Sequence, residues 1–166
     1  LKSAVLVPVN LYGPGDNFNP ITSHVIPALI YKCEQARVKK AKKIICWGSG
    51  AASRQFLYVD DAAEGIVSAA ERVNKPDPIN LGGGEEIKIR DLTEIVCRLC
   101  GFHGEIAWDK SKPDGQPRRA ISSDLAEHLF EWHAKTDFKE GLTKTIKFFR
   151  QERSFLMDAI PSTLVA

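Results

Sequence analysis

Asn10-Leu11-Tyr12-Gly13-Pro14-Gly15-Asp16-Asn17-Phe18 is the stretch from which the rest of the chain is read. Two glycines and a proline within nine residues make it a turn-rich loop. Directly before it, Ala4-Val5-Leu6-Val7-Pro8-Val9 is a short β-branched run of the kind that forms a buried strand. Six residues after it, His24 heads an apolar-periodic segment, Val25, Ile26, Leu29, Ile30 and Cys33. That spacing predicts a helix over 23–37, with Thr22-Ser23 as its cap and His24 and Pro27 in its first turn.

Working outward, strand-like and helix-like pieces alternate. Strands are predicted near 4–9, 44–47, 55–59, 79–81 and 104–108, and helices near 23–37, 60–73, 89–100 and 137–152. The alternation makes this an α/β chain. Asp60 or Asp61 is placed to cap the second helix, Arg90-Asp91 opens the third, and Pro76-Asp77-Pro78 reads as a turn. No repeat or low-complexity segment appears. Gly48-Ser49-Gly50-Ala51-Ala52-Ser53 imitates a dinucleotide-binding glycine loop, but such a loop must open a helix, and Phe56-Leu57-Tyr58-Val59 reads as a strand.

The 166 residues, 43% of them apolar, can bury one core, and no continuous apolar span or signal-peptide pattern is present. The expectation is a cytoplasmic protein without a membrane partner. Lys+Arg 23 against Asp+Glu 21 leaves a net charge of +2, too little to imply nucleic acid. The basic cluster Arg37, Lys39, Lys40, Lys42 and Lys43 lacks interleaved aromatics and reads as a solvated helix end. Cys97 and Cys100 share a helix with Leu92, Ile95, Val96 and Leu99, and no second Cys or His pair stands at zinc spacing. They read as packed apolar residues, and no metal is expected. His128 and His133 have no convincing ligand geometry either.

The opening run resembles the extended short-chain dehydrogenase/reductases, the NAD-dependent epimerase/dehydratase family, in their GDP-L-fucose synthase branch. Further pieces repeat the resemblance in order: Ser23-His24-Val25-Ile26-Pro27-Ala28-Leu29, Trp47-Gly48-Ser49-Gly50, Arg54-Gln55-Phe56-Leu57-Tyr58-Val59-Asp60-Asp61, Ile79-Asn80-Leu81-Gly82 and Ser111-Lys112-Pro113-Asp114-Gly115. The family opens with a glycine-rich Rossmann loop and carries Tyr-x-x-x-Lys, and this chain has neither. Tyr12, Tyr31 and Tyr58 are followed four residues on by Asp16, Gln35 and Ala62. The resemblance therefore implies the C-terminal part of such an enzyme. Residues 1–155 form a substrate-binding domain with part of the parallel Rossmann sheet, without the N-terminal dinucleotide-binding half. Residues 156–166 form a tail without family resemblance.

The resemblance also implies roles. His24 is the catalytic acid that returns a proton to the sugar carbon; a helix N-terminus disfavours the imidazolium, so a proton held there is given up readily. Pro8, Val9, Asn10, Leu11 and His24 lie along the nicotinamide of NADP(H). Lys32, Trp47, Arg54, Lys112 and Asp114 contact the GDP-sugar, with cations answering the diphosphate and the indole offering an apolar face. Asn17 and Phe18 extend the substrate pocket, and Arg118 and Arg119 assist. The base in the family is a cysteine that none of Cys33, Cys46, Cys97 or Cys100 matches.

The leading reading is the substrate-binding portion of a GDP-L-fucose synthase-like epimerase/reductase, inactive alone and binding no NADP(H) tightly by itself. Its strands are expected to pair with a second copy, as a homo-oligomer, or with a chain supplying the Rossmann half. The alternatives are a fragment of another NAD(P)-dependent sugar-nucleotide epimerase or dehydratase, and a non-catalytic sugar-nucleotide-binding or self-associating module.

Overall fold

The structure is a computed structural model that describes residues 3–152, so the tail expected over 156–166 lies outside the described residues. The chain runs β1 (Ala4–Pro8), β2 (Asn10–Tyr12), α1 (Val25–Val38), β3 (Lys43–Trp47), β4 (Ser53–Arg54), β5 (Phe56–Tyr58) and α2 (Val59–Arg72). It continues through β6 (Lys75–Leu81), β7 (Ile87–Lys88), α3 (Ile89–Cys100), β8 (Glu105–Asp109), β9 (Arg118–Arg119), α4 (Asp124–Phe130) and α5 (Phe138–Gln151). The expected α/β alternation is present, built on short parallel pairs: β1 with β6, β2 with β5 and β3 with β8. A small mixed sheet places β4 between β7, antiparallel, and β9, parallel.

Two cores hold these pieces. In the larger, Ile26, Ile30 and Cys33 of α1 meet Leu92, Val96, Cys97 and Cys100 of α3 and Leu142, Ile146 and Phe149 of α5. The four cysteines are free and buried, with Cys33 Sγ 3.4 Å from Cys97 Sγ, so they pack as small apolar side chains. In the smaller core, Ile79 and Leu81 of β6 meet Ala62 and Ala69 of α2, Ala126 of α4 and Trp132. The indole of Trp132 donates to the carbonyl of Asp61 at 3.0 Å.

Two local expectations are corrected, and the reading of Gly48–Gly50 as a run leading into a strand is borne out. Pro76-Asp77-Pro78 is not a turn but part of β6, whose register against β1 shifts between Ala4 and Val5. That irregularity accommodates residues lacking an N–H. Neither Asp60 nor Asp61 caps α2: the N-cap is Tyr58, and the Asp61 carboxylate accepts from the N–H and hydroxyl of Thr136, each at 3.0 Å. The side chain is buried, so it binds a neighbouring loop rather than its own helix end. The Gly48–Gly50 run, with φ of +78° and +74° at its glycines, leads into β4 and not into a helix.

Candidate active-site cleft and nucleotide hollow

The loop after β2 is pinned by its own side chains. Asn17 Oδ1 accepts from the Asn19 N–H at 3.0 Å, Asn19 Oδ1 from the Ile21 N–H at 2.9 Å, and Asn17 Nδ2 donates to Thr22 Oγ1 at 2.9 Å. Asn17 is therefore a clamp of the loop. Phe18 is core, 2% exposed and 4.8 Å between ring centroids from Phe149. Asn17, though exposed, spends its side chain on the loop, and Phe18 packs into the core.

His24 ends this loop as the N-cap of α1, with no side-chain cap. The expected cap is displaced because Thr22 serves the loop and the Ser23 N–H donates to Asn19 O. His24's own carbonyl accepts the first helical bond, from Ala28 at 3.0 Å, and its ring is exposed. It lines a cleft of about 450 Å3 together with Pro8, Val9, Asn10, Leu11, the loop from Tyr12 to Asp16, Val59 and Arg119. All five residues expected along the nicotinamide thus meet in one place. Asn10 commits one amide N–H to the carbonyl of Gln55 at 2.8 Å. Tyr12 is buried, and that burial, reinforced by Asp61, holds its phenol neutral well above the ordinary range.

On the other side of the same segment, Ser23 and Val25 line a second hollow of about 540 Å3 with Lys32, Trp47, Trp108 and Thr93. Lys32 donates its ammonium to the carbonyl of Ile45, and Trp47 is 69% exposed, an apolar face offered to solvent. Lys112 Nζ stands 5.7 Å from the centroid of Trp47. Asp114 is engaged within the fold: Oδ1 accepts the Ser49 N–H at 2.5 Å and Oδ2 the Ser49 hydroxyl at 2.7 Å. Those bonds from Ser49 hold the carboxyl below its usual range. Gly48 permits this approach, since a Cβ there would run into the Asp114 carboxylate. Arg54, half-buried on β4, donates to the carbonyl of Ser53 at 2.7 Å and lies beside Gly115 of the same loop.

Two cations were underrated by sequence reading. On β9, alternation sends neighbours to opposite faces: Arg118 pairs with Glu86, its Nη2 at 2.8 Å, whereas Arg119 lines the cleft of His24. Arg90 Nη2 donates to Ser49 O at 2.9 Å, with its guanidinium 5.7 Å from the Trp108 ring. Only the fold joins residues 41 positions apart, so no spacing signals this. The basic cluster from Arg37 to Lys43 is exposed, as expected. Among the described residues, no group of His, Cys, Asp or Glu is placed to hold a metal, and no helix is long and apolar enough to cross a membrane.

Residues 1–82 match the model of the NAD dependent epimerase/dehydratase family. The chain is 41% identical over 143 residues to the probable GDP-L-fucose synthase 1 of Oryza sativa subsp. japonica, covering 86% of this chain and 43% of that protein. It is 34% identical over 157 residues to the GDP-L-fucose synthase of Escherichia coli, covering 89% and 49%. A solved GDP-L-fucose synthetase from Naegleria fowleri superposes with a TM-score of 0.84 at 31% identity, over 91% of this chain and 46% of that one. The same protein bound to NADP gives a TM-score of 0.81 at 30% identity. The chain spans less than half the length of these curated relatives. Over residues 1–82 it carries a domain of the NAD dependent epimerase/dehydratase family, and the chain resembles the GDP-L-fucose synthases.

Proposed function

We propose that this chain is the sugar-nucleotide-binding portion of a GDP-L-fucose synthase-like epimerase/reductase, the C-terminal half that holds a GDP-sugar and presents His24 to it. The observation that carries the reading is the position of His24. Its ring lines the cleft beside Pro8–Leu11, while its neighbours Ser23 and Val25 line the hollow with Lys32 and Trp47.

The residues suit their roles. The hollow offers indole faces and a lysine to a nucleotide, and Arg54, Arg90 and Lys112 surround the loop beside it. Guanidinium groups answer a diphosphate through charge-assisted hydrogen bonds. The sugar then extends toward the cleft, where Arg119 supplies a cation and His24 a proton. A 4-keto group acidifies the adjacent C–H bonds, so after a base removes a proton on one face, His24 returns one on the other. The apolar rim of Pro8, Val9 and Leu11 suits the flat face of a nicotinamide; NADPH, when bound, supplies the hydride that reduces the ketone.

None of the four buried thiols lines the cleft, and no tyrosine has a lysine four residues on, so the chain by itself is expected to bind without turnover. Calorimetry with GDP or a GDP-sugar tests the reading. Binding should weaken by about 1.5–3 kcal/mol in Arg54→Ala. Equal affinity of wild type and variant, or equal preference for unrelated nucleotides, would refute it.

A further inference from the structure

One carboxylate in the cleft has no part in the reaction as described. Asp16 lies in the loop between β2 and α1 and lines the cleft with His24. Its Oδ1 accepts the Asn17 N–H at 2.7 Å, whereas its Oδ2 is buried without a hydrogen-bond partner. An acceptor withdrawn from water with no donor in return is unfavourable, and such atoms ask for an explanation. The Asn17 and Asn19 clamps tie down the chain from Asn17 to Thr22, directly after Asp16 and ending two residues before His24.

The other titratable side chains lining the cleft are Tyr12, His24 and Arg119. Tyr12 is neutral and turns its hydroxyl toward the carbonyl of Phe138, and Arg119 is exposed on β9. Burial raises the proton affinity of Asp16, and the Asn17 amide and the charge of His24 act against it.

We infer that Asp16 is a positioning residue for His24: its buried Oδ2 accepts one imidazole N–H, so that the opposite ring nitrogen is aimed into the cleft. The inference rests on the reading of His24 as proton donor. In that step the electron pair of the enolate forms the new C–H bond with the proton of the outward ring nitrogen. That N–H bond breaks, leaving a neutral imidazole whose other N–H stays on Asp16, and water restores the lost proton. A carboxylate behind the ring decides which nitrogen carries the transferable proton.

The test uses the ligand-free chain with labelled histidine and aspartate. Long-range proton–nitrogen spectra read the tautomer of neutral His24, and carboxyl carbon shifts follow Asp16. Wild type should show one His24 tautomer and Asp16→Ala a mixture of both. In His24→Gln the Asp16 midpoint should move up by about half a pH unit, a roughly threefold rise in proton affinity. The same tautomer ratio in wild type and Asp16→Ala would overturn the inference. So would an unmoved Asp16 midpoint in His24→Gln, which also decides the matter should Asp16→Ala fail to fold. GDP takes no part in either arm, so this failure is distinct from failure of the calorimetric test.

Discussion

Glu34 is wholly buried on α1, between Arg37 of the next turn at 2.8 Å and Arg150 of α5 at 2.7 Å. Burial alone would raise the affinity of its carboxyl for a proton; the bonds and charges of Arg150 and Arg37 outweigh that and hold it below the ordinary carboxylate range. Its contribution to stability is therefore fully present above the unfolded value of about 4.3 and is lost as pH falls through the lower folded value. Glu34→Gln should cost about 2–3 kcal/mol at neutral pH, below the usual loss for a fully buried pair because both guanidiniums remain about 40% exposed. Urea melts between pH 3 and 7 should also show a shallower acid-side decline in the variant. Motifs singled out residues such as His24 and Trp47, which the fold places on the cleft and on the hollow. Other residues were hidden where the fold decides: Arg119 reaches the cleft while adjacent Arg118 is neutralised by Glu86, and Asp114 is absorbed by Ser49.

The helices α1, α2, α3 and α5 follow from apolar periodicity and fall within two residues of where the sequence places them. Among the strands of two or three residues only β5 is legible in the sequence; β2, β4, β7 and β9 have no periodicity to read and exist only through their partners. β6 escaped its full length because its prolines look like a turn until β1 is beside them. Just after β6 the backbone of Gly83 is pressed against Phe56, and a Cβ there would overlap the Phe56 carbonyl, whereas one at Gly84 meets nothing. Gly83→Ala should destabilise the protein by about 3 kcal/mol or more, and Gly84→Ala by within about 0.5 kcal/mol. Their urea midpoints, measured side by side, check this. Equal midpoints would mean that β5 and the loop after β6 are not so closely apposed.

Across the whole molecule, β1 pairs only with β6 among the described residues, and its Val5 and Val7 stay 44% and 43% exposed. An apolar strand with an open edge invites pairing with another strand. Sedimentation equilibrium should give a mass above the 18.4 kDa of one chain, and Val7→Lys should shift it toward monomer. A wild-type mass of one chain at all concentrations would show that the edge needs no cover. The central claim, that the hollow beside His24 receives the nucleotide, has a direct readout in the three tryptophans. Trp47 and Trp108 line the hollow, while the Trp132 indole is buried against Asp61. In proton–nitrogen spectra of the indole N–H groups titrated with GDP, the account predicts saturable shifts of Trp47 and Trp108 with Trp132 unmoved. Three unmoved signals, or a shift confined to Trp132, would contradict it.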